Sequence, residues 1–577
     1  MWLEHPLKQQ LIGICVRLKI AVGLIVAGLL AVVWGIGLKT IWAPPETVTA
    51  SYSSDAAAPL TVIEPAVLKQ SPDNVDIKVE GDGEFLLAVG RSDDVKAWVG
   101  SAAHTTISGA DDGALQGSRT DGDAKVPNPA GSDLWVSEET ADSAIDYSWT
   151  DPAPGQWSIL LAADGTKPAP TKVTVSWPND TATPWALALI IVGALAAVLG
   201  GALAVVAGKR SVPPAPPAAG RPGGGRRVAT EPSSPVGGWT PDRESGRARF
   251  AAGALAALAL AAGPALPAQA AVPAAEAAGA GTEQAAAHPV LLPGQLTRIM
   301  DAVGAAVSAG DSAKDAKKLQ DRVTGPALTM RSANYRVRAG KGKVEAPVPV
   351  SAGPVLTSMI SSTPEWPRTA VAVTKGKNNP VPQVIVLSQA EARENYKMIG
   401  AVQMLPGTKF PQVSTEEGGT AAVAPADKDG LAYSPQQALE LLSGYLTSGR
   451  NSNAVAKNTF ADQIRSFQKD QQTSNKNAKI TFSRSIDKGS VRTLRTADGG
   501  AVVYGTLRSL MRSLPSESGA VVELSPEFAA LAGADSTTKG ADVTYAEAVF
   551  LQVPPAGSND KVSVVGVAQD LVAAKLK

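Results

Sequence analysis

Two uninterrupted apolar stretches dominate the hydrophobic pattern of this chain. Ile20 to Leu38 reads IAVGLIVAGLLAVVWGIGL without a charge. At about 1.5 Å per residue it spans roughly 28 Å, near the thickness of a bilayer's hydrocarbon core. The second, WALALIIVGALAAVLGGALAVVAG, opens at Pro184-Trp185 and ends at Lys209-Arg210. Neither keeps the polar face of a helix packed on a water-soluble core. They predict transmembrane helices at 20–42 and 185–208. A third run, FAAGALAALALAAG, follows Arg243, Arg247 and Arg249 and leads into Pro264, Pro267 and Ala268-Gln269-Ala270. A basic lead, a short apolar core and an A-x-A site are the layout of a secretory signal. Residues 250–270 are expected to be a third span or an internal signal-like segment. In the second case Ala268 and Ala270 mark the signal-peptidase site.

Between the first two runs the period changes to two. Val75–Val79 (VDIKV), Phe85–Val89 (FLLAV), Trp157–Leu161 (WSILL) and Val173–Trp177 (VTVSW) read as strands, broken by Gly81-Asp82-Gly83, Asp151-Pro152 and Asp164-Gly165. Residues 43–184 are thus expected to form an all-β sandwich. The stretch SGADDGALQGSRTDGDAKVPNPAGSD within it has few apolar residues and is expected to be a mobile loop. After an Ala/Pro tether at 271–289 the periodicity turns helical at Leu296, Ile299, Met300, Val303 and Val307, with a second polar helix expected over Ala313–Val323. Strand patterns follow at Arg368–Thr374, Gln383–Leu387 and Tyr396–Leu405. The order returns after 433. Ser434-Pro435 suits a helix start, Leu439, Leu442, Tyr445 and Leu446 share a face, and Phe460, Ile464 and Phe467 mark a second helix. Strands are expected at Lys479–Arg484, Val491–Thr496, Ala501–Ser513, Val543–Val553 and Val562–Val567. This predicts two α+β units, 290–415 and 434–577, joined by a linker at 416–433. A single larger α+β domain is the competing arrangement.

Charge adds orientation. Eight Lys and Arg residues lie between 208 and 249, whereas none occurs from 43 to 68 or from 271 to 297. Basic flanks stay on the cytoplasmic side, so residues 1–19 and the Pro/Gly-rich, disordered loop 209–249 are expected in the cytoplasm. Residues 43–184 and 290–577 are then expected outside. The chain is neutral overall, with 53 basic and 53 acidic side chains, but unevenly so. From 43 to 184 there are 8 basic and 22 acidic residues, and from 288 to 577 there are 33 basic and 25 acidic. Two bodies of opposite charge on one side of a membrane invite docking, and the basic one invites anionic wall polymer or lipid headgroups. Arg484, Lys488, Arg492, Arg495, Arg508 and Arg512 form the basic series that would serve as a polyanion-binding face. Ordinary solubility charge on the wet side of a sheet accounts for the same pattern.

The order FLLAVGRSDDVKAWVGSAAH, DLWVSEE, YSWTDPAPGQWSILLAADG and then a membrane helix resembles an uncharacterised actinobacterial multi-span membrane-protein architecture. Over about 80–200 it shares the Gly155-Gln156-Trp157 strand and the Asp164-Gly165 turn. The resemblance implies a β domain on the outer face and carries no activity. In element order the C-terminal region is similar to tandem cystatin and nuclear-transport-factor-like cones, in which a curved sheet wraps a helix.

Chemistry is sparse. One cysteine, Cys15, excludes a disulfide framework, and three scattered histidines, His5, His104 and His288, leave no histidine metal centre or triad. Asp111, Asp112, Asp121 and Asp123 offer oxygen ligands, but at no EF-hand spacing. Ser536-Thr-Thr-Lys539 matches Ser-x-x-Lys without its partner motifs, and GRPGGGRR lacks the Lys-Ser/Thr of a phosphate loop. No cofactor, metal or catalytic residue is expected. Nucleic-acid binding is not expected either, because aromatic platforms are few beside the basic series. The apolar runs carry no ionisable residue, as anchors do and ion pathways do not. A multi-domain membrane protein that binds or scaffolds at the cell envelope, without enzymatic activity, is the expectation. The alternatives are a secreted α+β factor freed after Ala270 and a pocket-based enzyme in the C-terminal region.

Overall fold

The computed structural model describes residues 5–55, 57–71, 74–111, 113–208, 288–340, 342–377, 379–413 and 419–577. The loop 209–249, the segment 250–270 with Ala268 and Ala270, and the tether up to 287 lie outside the described residues. The elements up to residue 208 are α1 (His5–Lys39), β1 (Thr47–Tyr52), β2 (Leu60–Ile63), α2 (Pro65–Leu68), β3 (Val75–Glu80), β4 (Phe85–Arg91), α3 (Ser92–Val99), β5 (His104–Asp111), β6 (Ala114–Thr120), β7 (Ser137–Ala141), β8 (Ala144–Trp149), β9 (Trp157–Ala162), β10 (Lys172–Pro178) and α4 (Pro184–Gly208). Beyond 288 come α5 (Pro293–Ala313), α6 (Gly325–Ala339), β11 (Val355–Ile360), β12 (Arg368–Gly376), β13 (Asn379–Gln389), β14 (Lys397–Met404), α7 (Pro435–Ser448), α8 (Thr459–Ser474), β15 (Ala478–Arg495), β16 (Ala501–Pro515), β17 (Val522–Glu523), α9 (Pro526–Ala532), β18 (Ser536–Thr537), β19 (Ala541–Val553) and β20 (Ser563–Leu576).

The chain divides into two units. One holds α1 and α4, and the other holds residues 44–182 with the C-terminal region. Helices α1 and α4 pack antiparallel through small residues spaced seven apart. Ala21, Gly28 and Gly35 are buried on α1, and Ala186, Gly193 and Gly200 on α4. A Cβ on Gly28 would stand 2.5 Å from the Gly193 carbonyl oxygen, one on Gly35 2.7 Å from that of Ala186, and one on Gly200 2.8 Å from that of Ala21. Two glycine-lined stripes therefore let the backbones touch. The bulky residues point away, with Leu30 64%, Val33 65% and Val198 70% exposed.

In the second unit, ten strands of 44–182 hydrogen-bond into one sheet in the order β7-β4-β9-β2-β5-β6-β1-β10-β3-β8. The β6–β1 link is a single pair, Ser51 with Ala114. The alternation works as read. On β3, Val75, Ile77 and Val79 are buried while Asp76, Lys78 and Glu80 face out. Two expectations need correcting. The segment is not all-β, because Ser92–Val99 is a helix that buries Asp94, Val95, Trp98 and Val99. The expected mobile loop holds the β5–β6 hairpin, whose ladder pairs Thr105 with Arg119 and Ala110 with Leu115. Backbone pairing there supplements the few side chains the stretch buries, Leu115 and Val126 among them.

Residues 288–577 give helix, helix and four antiparallel sheet strands, twice over, the second set interrupted by α9 and the separate β17–β18 ribbon. The two groups of strands join edge to edge through β14 and β20 (Gln403 with Val567, Met404 with Gly566). The result is one eight-stranded sheet, β11-β12-β13-β14-β20-β19-β16-β15. The second helix is Gly325–Ala339, one turn-rich stretch later than the Ala313–Val323 expectation. The expected strands at 479–484 and 491–496 are one strand with a bulge between Asp487 and Arg492. Helix α7 starts as read. Ser434 Oγ accepts from the Gln437 amide at 3.2 Å, and Gln437 Oε1 accepts from the Ser434 amide at 3.1 Å. Gly449 closes the helix at φ +73°, where a side chain would be strained.

Candidate functional site

Two polar arrangements in the second unit could do chemistry or recognition. The first lies where α3 and residues 129–136 meet the C-terminal region. Arg368, heading β12, reaches Asp94 at 2.6 Å, and both side chains are 2% exposed. Its guanidinium also donates to the Pro364 carbonyl at 2.8 and 3.0 Å and lies 3.9 Å from the Trp366 ring centroid. Arg322 reaches Asp133 at 2.6 Å, and the Tyr396 amide donates to the same carboxylate at 2.8 Å. Gln295 Nε2 donates to the carbonyls of Asp133 and Leu134, both at 3.0 Å. Arg393 donates to those of Trp98 and Val99, both at 2.8 Å, and Arg298 to those of Trp135 and Val136. Burial pushes the Asp94 carboxyl above its usual range, against the pull of Arg368. Among the described residues, Asp94 Oδ2, Arg368 Nη1 and the Tyr396 hydroxyl have no hydrogen-bond partner.

The second arrangement is the sheet face covered by α7 and α8. Strand register lines up Arg484 with Ser509, Ser509 with Tyr545, Leu507 with Glu547 and Glu547 with Gln569. Arg484 grips Glu547 with both forks, at 2.8 and 2.9 Å, and donates to Thr447 Oγ1 of α7 at 3.3 Å. Gln569 Nε2 donates to Glu547 Oε1 at 3.2 Å. Toward solvent the face turns aromatic. Phe467 makes edge-on contacts with both Phe482 and Tyr545, at 6.3 and 6.5 Å between ring centroids, and Phe528 meets Tyr545 edge-on at 6.4 Å. Burial there pushes the Tyr545 hydroxyl up to about 12, so it stays protonated at neutral pH. Beside it opens a cleft of about 600 Å³ lined by Gln471, Asn475, Ile480, Met511, Val522 and Phe528.

A family model described as a domain of unknown function, DUF8094, matches residues 287–576. The chain belongs to the DUF8094 family. No curated protein and no solved structure matches it. Both arrangements use the DUF8094 domain. The groove lies wholly within it, and the junction joins it to residues 44–182.

The basic series sits on β15 and β16 of the DUF8094 domain but does not form one free cationic face. Arg484 is inside, spent on Glu547. Arg492 is half-buried, donates to Ser388 and to the carbonyls of Gly489 and Val491, and is held below its usual range by burial. Arg495 pairs with Asp429, Arg508 with Asp487 at 3.5 Å, and Arg512 with Asp542 at 2.8 Å. Arg512 and Lys577 hold the Asp542 carboxyl down at about 2. Lys488 is exposed on the bulge. The signal read as a basic stripe is thus mostly a set of arginine–carboxylate pairs, whose partners come from β19 (Glu547, Asp542), from β15 itself (Asp487) and from the loop holding Asp429. Among the described residues no three His, Cys, Asp or Glu side chains cluster as a metal site. Asp121 pairs with Arg119 at 3.3 Å, and Asp123 accepts from Ser101 at 2.6 Å. Sequence reasoning missed Asp94, Asp133, Arg322 and Arg368. Only the opposite net charge of the two regions hinted at them.

Proposed function

We propose that this protein is a membrane-anchored, non-enzymatic component of a cell envelope, which presents its DUF8094 domain and the acidic β segment together for binding or scaffolding. The outward face of the α1–α4 pair carries the reading. Val16–Lys39 and Pro184–Val206 are long and apolar enough to cross a membrane, and their bulky residues are turned outward. Water would penalise such a surface, whereas lipid does not. Trp34, Trp42 and Trp185 are 58%, 55% and 78% exposed near the ends that lead into 44–182, where an aromatic belt would sit.

Connectivity supports three passages. Because α1 and α4 are antiparallel, residues 44–182 leave and return at the same end of the pair, and α4 finishes at the other. The DUF8094 domain is ion-paired to 44–182. A spanning pair therefore requires one more crossing between 209 and 287, where 250–270 holds the remaining apolar run. The arginines of 209–249 favour the cytoplasm for that loop, so both folded segments lie outside. The likeness of 80–200 to the actinobacterial outer-β architecture agrees with that side. The doubled helix–helix–sheet order supports two cone-like units within the DUF8094 domain.

Protease added to intact cells tests the proposal. Residues 44–182 and 288–577 should be digested, and 209–249 only after permeabilisation. Protection of either folded segment in intact cells refutes it. N-terminal sequencing of a fragment beginning at Ala271 would identify cleavage at the third crossing.

A further inference from the structure

The junction between 44–182 and the DUF8094 domain has the chemistry of a recognition surface. Every carboxylate in its ion pairs lies on the acidic side and every guanidinium on the other. Asp94 takes Arg368, and Asp133 takes Arg322. Arg393 and Arg298 then read four backbone carbonyls at the end of α3 and in the loop before β7. Arg393 also lies 5.2 Å from the Trp98 ring centroid, and Trp366 packs on the apolar cluster of Trp98, Trp135 and Leu134.

A surface selected for stability alone would be apolar, because buried ion pairs contribute less than well-packed hydrophobic residues of the same volume. This one buries two ion pairs and, among the described residues, leaves Asp94 Oδ2, Arg368 Nη1 and the Tyr396 hydroxyl unpartnered. Such a pattern rejects partners lacking the matching charges. The two sheets share no strand, so side-chain contact holds the two sides together without a common ladder.

We infer that the face built from α3 and residues 129–136 is a dedicated receptor for the DUF8094 domain and holds it without the connecting chain. A chain severed anywhere in 209–287, including after Ala270, stays one complex. Cleavage there leaves the DUF8094 domain on the membrane-anchored segment instead of releasing a free factor. The inference rests on the reading that both segments share one side of the membrane, but its test does not.

The full chain, tagged at its N-terminus and carrying an inserted site-specific protease sequence within 209–249, is purified in detergent and cut. Capture through the tag should retain the DUF8094 fragment. Asp94→Arg or Arg368→Asp should each weaken retention by about 100-fold or more. The exchanged pair, Asp94→Arg with Arg368→Asp, should recover much of it, which also shows that lost retention is not lost folding. Release of the wild-type fragment overturns the inference, as does wild-type retention by both single variants. Failure of the membrane reading would instead appear as protease protection in intact cells with retention in detergent unchanged.

Discussion

Replacing Arg484 with methionine removes both bonds that neutralise Glu547 while keeping most of the apolar stem. The Arg484 side chain is 1% exposed and that of Glu547 0%. Bulk solvent reaches neither group in the folded state. Among the described residues, Glu547 would keep only the Gln569 amide at 3.2 Å. Stripping a buried carboxylate of its cation costs about 3–5 kcal/mol. The 3.3 Å bond to Thr447 is long and adds little. At 1.4 kcal/mol per factor of ten, the opening equilibrium of this sheet region shifts by roughly two to three and a half orders of magnitude. A melting temperature would blend several folded parts. Amide hydrogen exchange of the intact, detergent-purified chain, read peptide by peptide, isolates the effect. Peptides from β15, β16 and β19 should exchange roughly 100- to 4,000-fold faster, and those from the ten-stranded sheet should not change. Arg484→Met with Glu547→Leu should restore most of the protection, since an apolar pair of similar volume tolerates burial. Exchange within threefold of wild type for the single variant, or no recovery in the double, would refute the reasoning.

Three further outcomes are expected. Burial raises the Asp570 carboxyl to about 6, with Arg331 opposing. The folded state then holds the proton more tightly than the unfolded one, and stability from this group falls as pH rises from about 4 to 6, by no more than about 3 kcal/mol. Asp570→Asn should flatten that slope in the opening free energy of β20 peptides, read from amide exchange corrected for intrinsic rate at pH 4.5, 6 and 7.5, and parallel curves would refute it. Gly193→Leu should separate α1 from α4, because a Cβ there already meets the Gly28 carbonyl oxygen at 2.6 Å. Energy transfer between labels at Val16 and Val206 in a Cys15-free background should drop, and unchanged transfer contradicts the packing. Ser434→Ala removes the α7 N-cap, worth about 1 kcal/mol, and should speed amide exchange in 435–440 by about fivefold; unchanged exchange there contradicts the cap's role.

What one stretch of sequence determines is what its own neighbours decide. The two apolar helices, the β3 alternation, the Ser434 cap and the doubled order of helices and strands could all be read because hydrophobic period and cap chemistry act within a few residues. Tertiary structure decided the rest. The seven-residue spacing of Ala21, Gly28 and Gly35 gains meaning only beside Ala186, Gly193 and Gly200, since close packing needs both backbones. A stripe of arginines on β15 and β16 looked like a free cationic face until strand pairing and loops brought Glu547, Asp487, Asp542 and Asp429 alongside. Asp94 and Arg368 lie 274 positions apart. Their pairing depends on the docking of two folded segments, and the charge imbalance of the two regions indicated an attraction without naming the residues. Coulomb energy and burial depend on distance in space, which local sequence does not encode.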